Sequence, residues 1–380
     1  MSTHTLYGDG IHDDTLAIQE QLDSGCSDVS LPAPKVCYLI SQALKIHSNQ
    51  SLRLPPYSTI KLAADSNCSM LECANFAVLN ENITVEGGIW DMNNTEQEPN
   101  PYHFPDKNGL KAFDYQNALG ISDRSKWTEP PPIYTGMCIR LSNIKNLSLR
   151  YMTLKNPVTY GIQLYKTENF TVKDITFDYT TGAPKLWNMD GIHVEGHCKN
   201  GYISNLKGAC HDDLVAITTD DLLFGPVKNI TVDGIYSDGC HSAVRLLSRG
   251  LSLENVKISN IYGSFYTYCV GITKYYNGDG RGTLRNIHID GVSACACQGT
   301  RDVAGGNFPF IWVEAGLDID MLRIENVMRR ESTYTTPTVK IDADASIGKL
   351  IMRNVITENL TGKEFEPLVL DGKIDTHVRE

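Results

Sequence analysis

Three acidic residues in this 380-residue chain stand at positions where chemistry could use them. Asp190 lies in Asn188-Met-Asp-Gly-Ile-His-Val194, and Asp212 with Asp213 in Cys210-His-Asp-Asp-Leu-Val-Ala-Ile217. His241 follows in Asp238-Gly-Cys-His-Ser-Ala-Val-Arg-Leu-Leu-Ser248. Each group precedes a run with aliphatic residues at alternate positions: Ile192 and Val194, Val215 and Ile217, Val244 and Leu246. That common phase, one repeat apart, predicts a single face carrying all of them. Stacked carboxylates raise one another's pKa, and a purely structural ladder would use Asn at lower cost. The chemistry they fit is general acid/base catalysis, in which a protonated carboxyl group donates to a leaving oxygen while an ionised one activates water. The competing readings are a polar turn ladder or a calcium site. Asp220-Asp221, just before Leu222-Leu-Phe224, reads as a solvated turn.

The elements that must position these residues are repeats. An Asn opens Asn146-Leu-Ser-Leu, Asn169-Phe-Thr-Val, Asn229-Ile-Thr-Val, Asn255-Val-Lys-Ile and Asn286-Ile-His-Ile, with a weaker copy at Gly201-Tyr-Ile-Ser. The spacing is between 20 and 50 residues, the range of solenoids and propellers. Apolar residues alternate with polar ones, so the unit is strand and not helix. The linkers are too short for the helices of a leucine-rich repeat, and the spacing is too short for a four-stranded blade. A parallel β-helix remains, with coils stacked about 4.8 Å apart. The expected fold class is therefore all-β, a single-stranded parallel β-helix forming one domain over 1–380.

One segment differs. Asp13-Asp-Thr-Leu-Ala-Ile-Gln-Glu-Gln-Leu22 carries Asp at the N-cap and apolar Leu16, Ile18 and Leu22, and it ends at Ser24-Gly25. It predicts a short helix, within a cap over 1–25, that shields the first coil. Residues 94–135 break the repeat with Pro99, Pro101, Pro105 and Pro130-Pro-Pro132, and read as a long loop that is either surface or the wall of a cleft.

Composition excludes other classes. A net charge of −11 without a basic stripe argues against nucleic acid, and no apolar run approaches the ~20 residues of a membrane span. Eleven cysteines without a CxxC pair read as free thiols in a reducing compartment. The start of the chain has no basic and apolar leader, so a cytoplasmic location is expected, or a secreted or periplasmic one if a leader has been removed. The sequons at Asn146, Asn169 and Asn229 sit inside expected strands and read as accidents of composition.

On these residues the chain resembles the pectin-lyase-like superfamily of right-handed parallel β-helices, and within it glycoside hydrolase family 28, the polygalacturonases. Tyr7-Gly-Asp-Gly-Ile-His-Asp-Asp-Thr-Leu-Ala-Ile-Gln19 and Val36-Cys-Tyr-Leu-Ile-Ser41 resemble the superfamily's cap and first coil. Asn188-Met-Asp-Gly, Asp212-Asp213 and His241-Ser-Ala-Val-Arg-Leu-Leu-Ser248 are similar to the family's three catalytic motifs. The resemblance implies an inverting hydrolase acting on a galacturonic-acid-containing carbohydrate. Asp212 would be the acid, Asp190 and Asp213 would hold and deprotonate water, and His241 would tune Asp212. Inversion calls for carboxyl groups ~6.5–9.5 Å apart, more than simple stacking supplies.

The sequence also departs from the family. Its Arg-Ile-Lys motif, which binds the substrate carboxylate, corresponds to Cys269-Val-Gly-Ile-Thr-Lys-Tyr276, where the Arg is missing. With Val270 and Ile272 inward, Gly271 and Thr273 face out and Lys274 is nearby but out of phase. Alternation places Arg140, Gln163, His193 and Arg245 outward beside the acids, where the two arginines could replace the lost one. Asn188, His211, which replaces a family Gly, and Trp312 complete the expected substrate-binding set. No cofactor or metal is expected, and the oligomeric state is not legible. A non-uronate substrate, a non-catalytic carbohydrate-binding or tailspike-like β-helix, and a lyase or epimerase are the alternatives.

Overall fold

The computed structural model describes residues 4–105, 109, 111, 133–180, 185–274 and 280–379. They form two compact units, Met1–His193 and Val194–Glu380. Most of the 94–135 loop expected from sequence lies outside the described residues.

In each unit the strands stack in register, and every described pairing between strands is parallel. In the first unit, Leu44–Ile46 pairs with Leu71–Cys73, which pairs with the start of the 17-residue strand Ile139–Lys155. That strand pairs along its length with Ile162–Asp178. In the second unit one column runs Asp213–Thr218, Ser242–Leu247, Val270–Thr273, Ile311–Val313, Val339–Ile341 and Leu368–Leu370. A second column holds the long strands Val227–Cys240, Ser252–Phe265, Gly282–Ala296, Leu317–Glu331 and Ser346–Asn359. The core is a set of aliphatic stacks, such as Ile230, Val256, Ile287, Leu322 and Leu350, all buried. Burying each such side chain contributes about 1.5–3 kcal/mol, and parallel coils repeat that gain at the same phase. This is the parallel β-helix expected from the alternation.

The recurring Asn has a physical reason. Asn229, Asn255 and Asn286 all adopt the left-handed backbone conformation, which bends a long strand at a corner. Each side-chain amide donates to the Asn of the preceding coil, Asn229 to Asn200 at 2.9 Å, Asn255 to Asn229 at 2.9 Å and Asn286 to Asn255 at 3.0 Å. Asn82, Asn146 and Asn169 form the matching ladder in the first unit. The sequon asparagines are thus exposed members of strands, with their amides already engaged. Asn255→Ala loses both ladder bonds and strains the corner, at roughly 1–3 kcal/mol. Asn255→Gly should recover the backbone part. Urea unfolding checks this, and a Gly variant no more stable than the Ala variant would contradict it.

The helix spans Thr15–Asp23, with Asp14 and not Asp13 as N-cap residue. Asp14 turns its carboxylate back to the N–H groups of Tyr7 and Gly8, while Asp13 accepts the Thr15 N–H at 2.8 Å. The buried face is Thr15, Ala17, Ile18 and Leu22; Leu16 points outward, contrary to expectation, because it lies off the stripe that Ile18 and Leu22 define. Asp220 and Asp221 are also corrected, since both are buried. Asp220 accepts the Arg249 backbone N–H with both oxygens, at 3.0 and 2.8 Å, so the pair closes a turn inside the protein.

Candidate active site

The acid pair sits at the start of a strand because of register. Asp213 is paired with Ser242 on the next coil, which sets Asp212 at the level of His241. Just before them, Cys210 and Cys240 stack in the core with their sulfurs 3.4 Å apart, and the Cys210 thiol donates to the Asp212 carbonyl at 3.0 Å. Inward Val215, Ile217, Val244 and Leu246 anchor both strands. The turn carrying the acids therefore hangs from a fixed core position.

The two carboxylates have different surroundings. Asp213 is buried, and its Oδ1 accepts the Ser242 hydroxyl at 2.5 Å and the Tyr268 phenol at 3.0 Å. Its Oδ2 accepts Arg245 at 3.4 Å. Burial, and after it the Asp213 charge, push the Tyr268 phenol well above its usual range, so it stays a donor. Asp212 is more open, with its side chain 23% exposed and Oδ1 3.7 Å from His241 Nδ1. Its Oδ1 also accepts the Asp213 N–H at 3.1 Å. His241 is held by Thr267, whose hydroxyl donates to the His241 carbonyl at 2.6 Å, and by the edge of Tyr266 at 5.2 Å. Adjacent carboxylates in unlike environments are the usual means of dividing acid and base roles.

Beside them an outward column runs Ala216, Arg245, Gly271, Trp312 and Lys340. Arg245 reaches back to Asp213 and to the Thr273 hydroxyl, 3.1 Å away. Trp312 donates its indole N–H to Asp342 at 2.9 Å, and Lys274 donates its backbone N–H to Glu314 at 2.5 Å. His211 contributes its carbonyl to the Tyr266 phenol at 3.4 Å.

In the first unit, Asp190 is buried and its Oδ2 is 2.8 Å from His193 Nδ1. The His193 ring is stacked on Tyr160 at 4.1 Å. Asp190 also accepts the Gly161 N–H and the Tyr179 hydroxyl at its carbonyl, which fixes the turn. Asn188, in the left-handed conformation, is gripped at its Oδ1 by Asn100 at 3.1 Å and His103 at 2.9 Å. The described start of the 94–135 loop thus braces the turn that carries Asp190. Arg140 and Gln163 are register partners, and both are buried and not open as expected. Arg140 lies 3.9 Å from Glu72 and over the Phe76 ring, on the wall of a cleft of about 690 Å³ that Lys45 and Tyr134 also line.

The structure thus gathers Asp212, Asp213, His241 and Arg245 in one group, and Asn188, Asp190 and His193 in another, one in each unit. Sequence reasoning missed Ser242, Tyr268 and Asp342. Only Ser242 had a signal, its place one coil beyond Asp213. Among the described residues, the ligand atoms of Asp212, Asp213 and His241 lie within 4.8 Å of one another, as metal ligands would. A cation there would have to displace the three donors already on Asp213, so the donor set fits a metal poorly.

The class that this architecture defines is the parallel β-helix. Residues 134–242 match the model of the glycosyl hydrolases family 28, a segment that holds all three acids and ends just past His241. Cys269–Tyr276, where the family Arg is missing, lies beyond it. The chain is similar in structure to an endo-xylogalacturonan hydrolase from Aspergillus tubingensis (TM-score 0.62, 16% identity, 97% of this chain and 94% of that one). It is similar also to an exopolygalacturonase from Thermotoga maritima (0.61, 17%, 92% and 89%). A third likeness is to PfbA, a surface adhesin of Streptococcus pneumoniae (0.59, 15%, 99% and 91%). At these identities the likenesses establish the fold. No curated protein matches the chain in sequence.

Proposed function

We propose that this protein is a glycoside hydrolase that cleaves a bond in a pectin-type, galacturonic-acid-containing chain with inversion. The observation that carries the reading is the acid pair: an open Asp212 beside His241, and an Asp213 on which Ser242, Tyr268 and Arg245 converge. In this reading Asp212 protonates the leaving oxygen. Asp213, fixed as an acceptor, orients water and takes its proton. His241, 3.7 Å from Asp212, keeps the acid poised. The family 28 match over the acid-bearing segment supports it.

The test is incubation with a panel of pectic and neutral oligosaccharides, following reducing ends and the absorbance of unsaturated products. New reducing ends without unsaturation are expected. Unsaturated products would replace hydrolysis by a lyase reaction. The likeness to an adhesin gives a second reading, a β-helix that binds glycans without turnover, because one fold hosts both kinds of protein. Binding without release from any substrate would favour it.

A further inference from the structure

Gly271 stands where the resemblance places the carboxylate-binding arginine, and the structure shows what took the space. A Cβ on Gly271 would lie 2.7 Å from the Tyr268 ring, which covers that position while its hydroxyl reaches Asp213. A side chain at 271 and the Tyr268 ring exclude each other.

What surrounds that ring is aromatic. Tyr268 lies 6.0 Å from Phe308 and 6.3 Å from Trp312, and Phe308 and Trp312 lie 5.1 Å apart at a 34° tilt. Phe308 and Trp312 are half-buried, and the indole is held in orientation by its bond to Asp342. The cations of this face are matched by carboxylates. Arg245 is bound to Asp213, and Lys340 lies 3.0 Å from Asp342. Lys274 runs its stem past Gly316 and has Glu314 beside it. Among the described residues of this face the guanidinium, Arg245, is engaged with Asp213 and Thr273, whereas the C–H face of an uncharged sugar finds a fixed aromatic surface.

We infer that the face formed by Phe308 and Trp312, backed by the buried Tyr268 ring, is a binding site for an uncharged sugar ring, so that the chain recognised carries a neutral sugar and not an unbroken run of uronates. Trp312 and Tyr268 are the residues that set this specificity. The inference rests on the carbohydrate reading above but not on turnover, since binding can be measured alone.

Calorimetry with two probes separates the possibilities: an oligogalacturonide, and an oligosaccharide that alternates galacturonate with rhamnose. The alternating probe is expected to bind more tightly. Trp312→Ala should weaken it by roughly tenfold, while Trp312→Phe, which keeps a ring, loses less. The double change Tyr268→Ala with Gly271→Arg clears the ring and restores the cation, and should reverse the preference toward the oligogalacturonide. Tighter binding of the oligogalacturonide by the natural protein would overturn the inference. So would unchanged affinity in a folded Trp312→Ala protein, or no binding of the alternating probe. If the alternating probe binds through Trp312 but no reducing ends appear, the hydrolase reading fails and this one stands.

Discussion

Asp212→Asn is expected to abolish nearly all glycoside hydrolysis, a loss of about 10²–10⁴-fold, in a protein that folds normally. The substitution keeps the size and the oxygen that receives the Asp213 N–H, but it removes the transferable proton. The side chain is partly open, so stability should change little. A reducing-end assay on whichever panel member is cleaved supplies the rate, and thermal unfolding supplies the control. Retained activity would refute Asp212 as the acid. Asp213→Asn should also be inactive for a different reason. An amide that replaces Oδ1 or Oδ2 sets N–H against N–H or O–H donors, so Ser242, Tyr268 and Arg245 cannot all be satisfied. That variant should lose stability as well as rate, and the contrast between the two separates the acid from the fixed acceptor.

Breaking the ion pair Arg329–Glu331 should produce the largest loss of stability in the second unit. Both side chains are fully buried, and Glu331 Oε2 receives Arg329 Nε at 2.9 Å and the nearest terminal nitrogen at 2.7 Å. Its Oε1 takes the N–H groups of Thr333 and Tyr334. Phe310 lies 4.9 Å from the guanidinium and Phe365 lies 5.8 Å from it. Glu331→Gln leaves that cation without its counter-charge, at about 3–5 kcal/mol. Arg329→Met added to Glu331→Gln should recover part of the loss, since a methionine can lie between the same rings. The pH dependence has a definite sign. Burial opposes ionisation of Glu331, but the Tyr334 N–H, Arg329 and the Thr333 N–H outweigh it, and the net pKa is lowered. Its contribution is therefore present above the ordinary glutamate range and lost as pH falls through the lower folded value. Urea titrations of the natural protein and Glu331→Gln should differ widely at neutral pH and converge in acid. A constant difference would refute the assignment.

The acid pair rests on partners distant in sequence, whereas Arg329 and Glu331 are near neighbours on one strand end. Asp212, Asp213 and His241 were legible because a β-helix repeats: one phase per coil turns a spacing in sequence into a neighbour in space. The Asn corners were legible for the same reason, although their left-handed conformation and amide ladder were not. Leu16 was misplaced because a helix of nine residues gives little evidence of which face is buried. Asp220 and Asp221 were misread because a charged pair in a turn is usually solvated, and only the folded chain shows both buried, with Arg249 offering its N–H to Asp220. Arg140, Gln163 and His193 do lie on the outward phase but are buried, and alternation reports direction and not exposure.

The sequence by itself determined the parallel β-helix, the stacking of its aliphatic core and the identity of the acid-bearing turns, because each depends on local periodicity. Tertiary structure decided how the acids are surrounded. Ser242, Arg245 and Tyr268 meet Asp213 only when coils stack. The Tyr268 ring fills the space over Gly271 from a turn whose aromatic residues follow no repeat. A site's chemistry depends on which donors converge at a point, and convergence across coils is a property of register and side-chain packing.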